Sequence, residues 1–189
     1  MIDQDRAAAT GWAAEVLADP TAVVLDTETT GLWGAVMVEI AMVSSSRDVL
    51  LDTLVNPQRE IPEDVTAIHG ITDDMVRDAP TFAELLPQIE QHLTGRRVVI
   101  YNARFDTGII GTELCRLWHG PDAHRECGGL LQAQECQGQR DDWISRVPAR
   151  IECAMEQHAA WFGDWHVTGG TTPGSRCAVA TARPATASP

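Results

Sequence analysis

The run Thr21-Ala22-Val23-Val24-Leu25-Asp26-Thr27, followed by Glu28 and then by Thr29-Thr30-Gly31, constrains the fold more than any other stretch of the chain. A short apolar, β-branched run that meets carboxylates and then a polar turn is the pattern of a buried strand whose far end reaches solvent. Asp26 and Glu28 occupy alternate positions, so on an extended strand both side chains point to the same face. Like charges that close raise each other's pKa unless a cation neutralises them, and hard carboxylate oxygens suit Mg2+ or Mn2+. Taken alone, such a pair can also be a strand end with exposed acids.

The rest of the pattern places this strand in a layered domain. Residues 3–18 carry Ala7, Ala8, Trp12, Val16 and Leu17 among acids, and Asp19-Pro20 stops what reads as an amphipathic helix. Residues 36–45 and 48–55 are β-branched and apolar, joined by Ser45-Ser46-Arg47, and predict an antiparallel hairpin beside the first strand. An irregular polar stretch follows Asn56-Pro57, and Thr72-Asp73-Asp74 can cap a short helix ending before Pro80. Thr81 caps a longer helix in which Phe82, Leu85, Leu86, Ile89 and Leu93 recur at helical spacing. Residues 97–101 predict a strand and residues 102–118 a helix, with a further helix over 151–162 and a loop-rich excursion over 119–142. Strands first and helices later, with one β-α-β crossing, point to an α/β or α+β layered domain.

The chain of 189 residues suits one such domain, expected over residues 1–166 with the motif-bearing core at 21–110. Residues 167–189 contain no acid and no aromatic residue and are rich in Thr, Ala, Pro and Gly, which predicts a disordered or aberrant tail. The formal charge of −13 is the wrong sign for holding nucleic acid on a broad basic surface, so a polyanionic substrate would need local help such as bound cations. Five cysteines without a C-x-x-C pair fit a reducing compartment better than a disulfide framework, and the N-terminus shows no signal peptide. The expected location is the cytoplasm. No segment approaches the roughly 18 consecutive apolar residues that suggest a membrane helix.

A third carboxylate joins the first two. Asp106 lies just past the strand at 97–101, in the first turn of a helix, where it could reach the same metal or simply favour the helix dipole. Together DTETTGL (Asp26 to Leu32), AIHGIT (Ala67 to Thr72) and YNARFD (Tyr101 to Asp106), in this order and spacing, resemble the DEDD-type 3′-5′ exonucleases of the proofreading-subunit kind, the epsilon family of DNA polymerase III. The resemblance covers roughly residues 20–165.

It implies a ribonuclease-H-like fold, a mixed five-stranded sheet flanked by helices on both faces. It also implies two divalent ions, Mg2+ or Mn2+, which activate a water at the 3′-terminal phosphodiester and stabilise the leaving oxygen. By this resemblance Asp26, Glu28 and Asp106 are the metal ligands and catalytic acids. Thr30 and Leu32 border the terminal nucleotide, His69 and Phe105 line its sugar and base, and Asn102 corresponds to the Asn of the family's His-Asn pair, with Tyr101 in place of the His. The implied partners are single-stranded or frayed 3′ ends of DNA or RNA and a DNA polymerase, with no membrane.

The family's third motif, a His followed about four residues later by an Asp, is absent from this sequence: His166 is the last His and Asp164 the last acid. A positioned base alone is worth about 10² to 10⁴ in rate, so impaired activity is expected. The abrupt change of composition after His166 suggests a frameshift. An exonuclease-like module that holds nucleic-acid ends without cutting them is the alternative. A zinc site from His119, His124, Cys127 and Cys136 lacks the C-x-x-C spacing, and unliganded thiols with surface histidines are expected instead. Among six tryptophans, Trp33 beside the first motif is the candidate for base stacking.

Overall fold

The central strand β1 (Ala22–Thr29) alternates buried and accessible positions from Leu25 onward, which follows from its two faces meeting different neighbours. In the computed structural model, which describes residues 2–120 and 130–163, the chain opens with α1 (Ile2–Ala18) and then enters β1. Asp19 ends the helix and accepts from both the backbone and the hydroxyl of Thr21. The predicted hairpin is present as β2 (Met37–Ser44) and β3 (Val49–Leu54), both antiparallel.

The segment after β3 departs from the sequence reading. Residues expected to be irregular contain a helix, α2 (Glu63–His69), which ends at Gly70 with a left-handed φ of 81°. The helical pattern was hidden because α2 has no buried residue and hence no apolar period to read. Next come α3 (Asp73–Val76), capped by Thr72 as expected, and α4 (Phe82–Leu93), where Thr81 and Glu84 form a reciprocal capping box.

The chain then enters β4 (Arg97–Ile100), parallel to β1, and turns at Tyr101-Asn102 into α5 (Ala103–His119). The excursion read as loop over 119–142 contains α6 (Leu130–Arg146), and the helix read from Ile151 is preceded by a strand, β5 (Arg150–Cys153), with α7 (Ala154–Phe162) after it. A four-residue strand is too short for its alternation to register, and it exists because it pairs in parallel with β4.

The five strands are ordered β3-β2-β1-β4-β5, with helices on both faces, and this is the mixed five-stranded architecture that the resemblance implies. On one face Val23, Leu25, Val98 and Ile100 pack with α4, α5 and α6 into the main core. On the other, Ala22 and Val99 meet Val16 and Trp12 of α1 and Ala154 of α7. A β-bulge between Glu28 and Thr29 lets two consecutive residues of β2 be buried in different places: Met37 enters the main core, and Val38 packs with Ile61, Ile71 and Val76. That second cluster anchors the α2–α3 segment beside the end of β1.

Cys153 is a free, buried thiol, but Cys115, fully buried on α5, is disulfide-bonded, which corrects the expectation of unpaired cysteines. Spacing in sequence carries no information about thiols that only the tertiary fold brings together. No helix among the described residues is long and apolar enough to cross a membrane. The tail at 167–189, together with His124 and Cys127 of the zinc reading, lies outside the described residues.

Candidate active site

β4 pairs with β1 only as far as Leu25 opposite Ile100, so the last four residues of β1 extend beyond it. Asp26 and Glu28 lie on this overhanging end, on the face they share with the half-exposed Val24, while Thr27 and Thr29 are buried on the opposite face. The alternation expected for the two carboxylates is therefore present. Glu28 stands directly across the strand pair from Glu39 of β2.

The overhang is met by the first turn of α5. Asn102 is the N-cap of that helix; its side chain makes no capping bond, and its carbonyl accepts from the backbone N–H of Phe105 (2.8 Å) and Asp106 (3.3 Å). Asp106 is only 3% exposed, and its Oδ1 accepts a 2.7 Å hydrogen bond from the hydroxyl of Thr27. Burial pushes the Asp106 carboxyl up to about 6; the Thr27 hydroxyl opposes that rise and the negative charge of Asp26 adds to it. Glu39 is also raised, by burial first and then by the charges of Asp52 and Glu28, with His69 acting in the opposite direction. Neither Thr27 nor Glu39 was singled out in the sequence; a search for polar residues at core-facing strand positions would have found the first.

The remaining expected site residues are distributed around this end of the sheet. Thr30 is buried and closes the loop between β1 and β2: its N–H donates to Val36 O and its hydroxyl accepts from Val36 N. Leu32 and Trp33 sit in that loop, 76% and 94% exposed, with no packing of their own. Phe105 is partly buried against the main core, so it helps to seat the turn that presents Asp106. His69 ends α2, and both of its ring nitrogens are engaged: Nδ1 accepts from Ile71 N at 3.0 Å, which leaves Nε2 as the donor to Thr29 O at 3.3 Å. The ring thus braces the turn after Gly70 and ties it to the end of β1.

Among the described residues no three His, Cys, Asp or Glu side chains are gathered tightly enough to enclose a metal ion. The donor chemistry nonetheless fits a hard divalent cation. Burial and the negative charge of Asp26 both push Asp106 toward its neutral form, so the ionised Asp106 carboxylate is costly here and a cation would relieve that cost.

Comparison with known proteins follows the same residues. A family model described as Exonuclease matches residues 23–126, more than half of the chain. The chain is similar to the uncharacterized exonuclease CP81 of Escherichia phage 186, at 45% identity over 47% of this chain and 46% of that protein. It is similar to the DNA polymerase III subunit epsilon of Treponema pallidum, at 35% identity over 58% of this chain and 53% of that one. It therefore spans about half the length of these curated relatives. Among solved structures, Exonuclease X in complex with 5′ overhanging duplex DNA aligns over 79% of this chain and 94% of that one, at 24% identity and a TM-score of 0.40.

Proposed function

The chain belongs to the exonuclease family, and on that premise we propose that it removes nucleotides from the 3′ ends of DNA or RNA by metal-dependent phosphodiester hydrolysis. The observation that carries this reading is the position of Asp106, buried and hydrogen-bonded to Thr27, within electrostatic reach of Asp26. Asp26, Glu28 and Asp106 are the residues that would hold Mg2+ or Mn2+, two ions by the resemblance. When bound, such ions supply Lewis acidity at the scissile phosphate and to its attacking water.

The chain's own contribution is to present and orient. The overhanging end of β1 exposes Asp26 and Glu28 to an incoming strand, and the α5 turn supplies the third carboxylate from the side. Thr30 fixes the base of the loop that displays Leu32 and Trp33, which are free to contact the terminal nucleotide and its neighbour. Asn102 and Phe105 shape the turn beneath, and His69 holds the α2 turn against the same strand end. A net charge of −13 gives no general attraction for a polyanion, so cations at the carboxylates supply it locally. A DNA polymerase is the proposed protein partner, by likeness to relatives named as epsilon subunits.

A second reading, a module that binds nucleic-acid ends without cutting them, is favoured by one observation: His69, beside the end of β1, has both ring nitrogens engaged by backbone groups. Digestion of a 5′-labelled single-stranded oligonucleotide, DNA and RNA in parallel, separates the two. Stepwise shortening from the 3′ end that stops with EDTA and with Asp26→Ala supports the nuclease. Retention of the oligonucleotide at full length by folded protein supports the binding module.

A further inference from the structure

Along the core-facing side of β1 the residues run Val23, Leu25, Thr27, Thr29, so the strand changes from apolar to hydroxyl-bearing where it passes the end of β4. An apolar residue is the physical default at a buried strand position, because a buried hydroxyl without a partner loses its hydrogen bonds to water. Thr27 has a partner: its Oγ1 donates to Asp106 Oδ1 at 2.7 Å, between residues 79 apart in sequence. A short bond from a hydroxyl to a carboxylate is charge-assisted and directional. Asp106 is itself buried, on a helical turn whose backbone N–H groups at Phe105 and Asp106 already point to the Asn102 carbonyl. Backbone N–H groups of Asp106 and Thr27 also reach this carboxylate, with a smaller effect than the Thr27 hydroxyl, which is the side-chain donor that directs it. The hydroxyl does so from the opposite face of the strand that carries Asp26 and Glu28 on either side of it.

We propose that Thr27 is the positioning residue of the site: its hydroxyl holds one oxygen of Asp106 so that the carboxylate stands oriented toward Asp26 before a divalent cation arrives. The residue between the two strand acids thus links them to the third acid on α5. Thr27 is buried and its hydroxyl reaches α5, which accounts for a strand-favouring residue with a hydroxyl at this position. The inference rests on the metal-dependent reading above. Side chains that hold ligands in place typically change metal affinity by about 10- to 100-fold when they are removed.

The test is Mn2+ binding to the full chain, followed by electron paramagnetic resonance titration of free Mn2+, with far-UV circular dichroism to verify folding. Thr27→Val keeps the shape and the β preference but removes the donor, and Thr27→Ser restores the donor without the methyl. The expected result is an affinity about 10- to 100-fold weaker for Thr27→Val and within about 3-fold of the parent for Thr27→Ser. Packing alone predicts the reverse order, because serine leaves a void and valine does not. Thr27→Val binding as tightly as the parent, while Asp26→Ala loses binding, overturns the role of Thr27 and leaves the metal reading intact. No Mn2+ binding by the folded parent overturns the metal reading, and the role of Thr27 with it.

Discussion

Glu113 and Met37, 76 residues apart, are joined by a buried hydrogen bond in which the Met37 backbone N–H donates to Oε1 of the carboxylate at 2.9 Å. The other oxygen of Glu113 pairs with Arg116 Nη1 at 2.8 Å, and Arg116 Nη2 donates to Pro57 O at 2.8 Å. The helix that presents Asp106 is in this way locked to the start of β2 and to the loop after β3. Burial raises the Glu113 carboxyl, and the Arg116 guanidinium opposes that rise.

Removing one partner of this pair leaves a buried charge without its hydrogen-bonded counterion, since Arg59 acts on Glu113 through its charge and more weakly than Arg116. Arg116→Met is expected to cost about 3 to 5 kcal/mol in urea unfolding. Adding Glu113→Gln, which removes the charge and keeps an acceptor for Met37, is expected to recover part of that loss. A double variant less stable than Arg116→Met alone would contradict this account of the network.

Asp106 gives the metal-free protein a pH dependence of definite sign. Its carboxyl is raised in the folded state to about 6 from 3.8, so between those values the native state binds more protons than the unfolded chain. Stability from this group is therefore lost as pH rises through that window, and it stays lost at neutral pH. In EDTA, Asp106→Asn should be more stable than the parent at pH 8, by up to about 3 kcal/mol. The gap should close as the pH approaches 3.5. Mg2+ should raise the melting temperature of the parent and leave that of the variant unmoved. Equal stability of the two proteins at pH 8 would remove the electrostatic cost assigned to this group.

His69 braces a turn. His69→Ala deletes the acceptor for Ile71 N and the donor to Thr29 O, and a loss of about 1 to 2 kcal/mol is expected from these two bonds. If the ring only braces, nuclease activity in the variant falls mainly through a higher KM for the oligonucleotide, and the acid limb of the pH profile keeps its position. A vanished acid limb would instead identify His69 as the base.

The capping box of α4 is remote from the carboxylates. Thr81→Ala removes the acceptor for Glu84 N and the hydroxyl donor to the Glu84 carboxylate, which keeps the Thr81 backbone N–H, and should cost about 1 kcal/mol without altering activity. Thermal unfolding and the same oligonucleotide digestion measure both halves of the statement.

What the sequence alone determined is what depends on short-range chemistry. The alternation in β1 put Asp26 and Glu28 on one face, Thr81 announced α4, and Asp106 stood at the opening of a helix after β4. The three motifs were enough for the family because each is a contiguous run. Other features depended on partners distant in the chain. β5 is a strand only because β4 lies alongside it, and α2 has no buried face to leave a period in its sequence. The bulge that sends Met37 and Val38 to different cores arises from the register between β1 and β2. In the same way Thr27 read as a spacer between two acids until the end of β4 let α5 approach it, because hydrogen bonds across 79 residues are set by where the sheet stops pairing and not by neighbours in the chain.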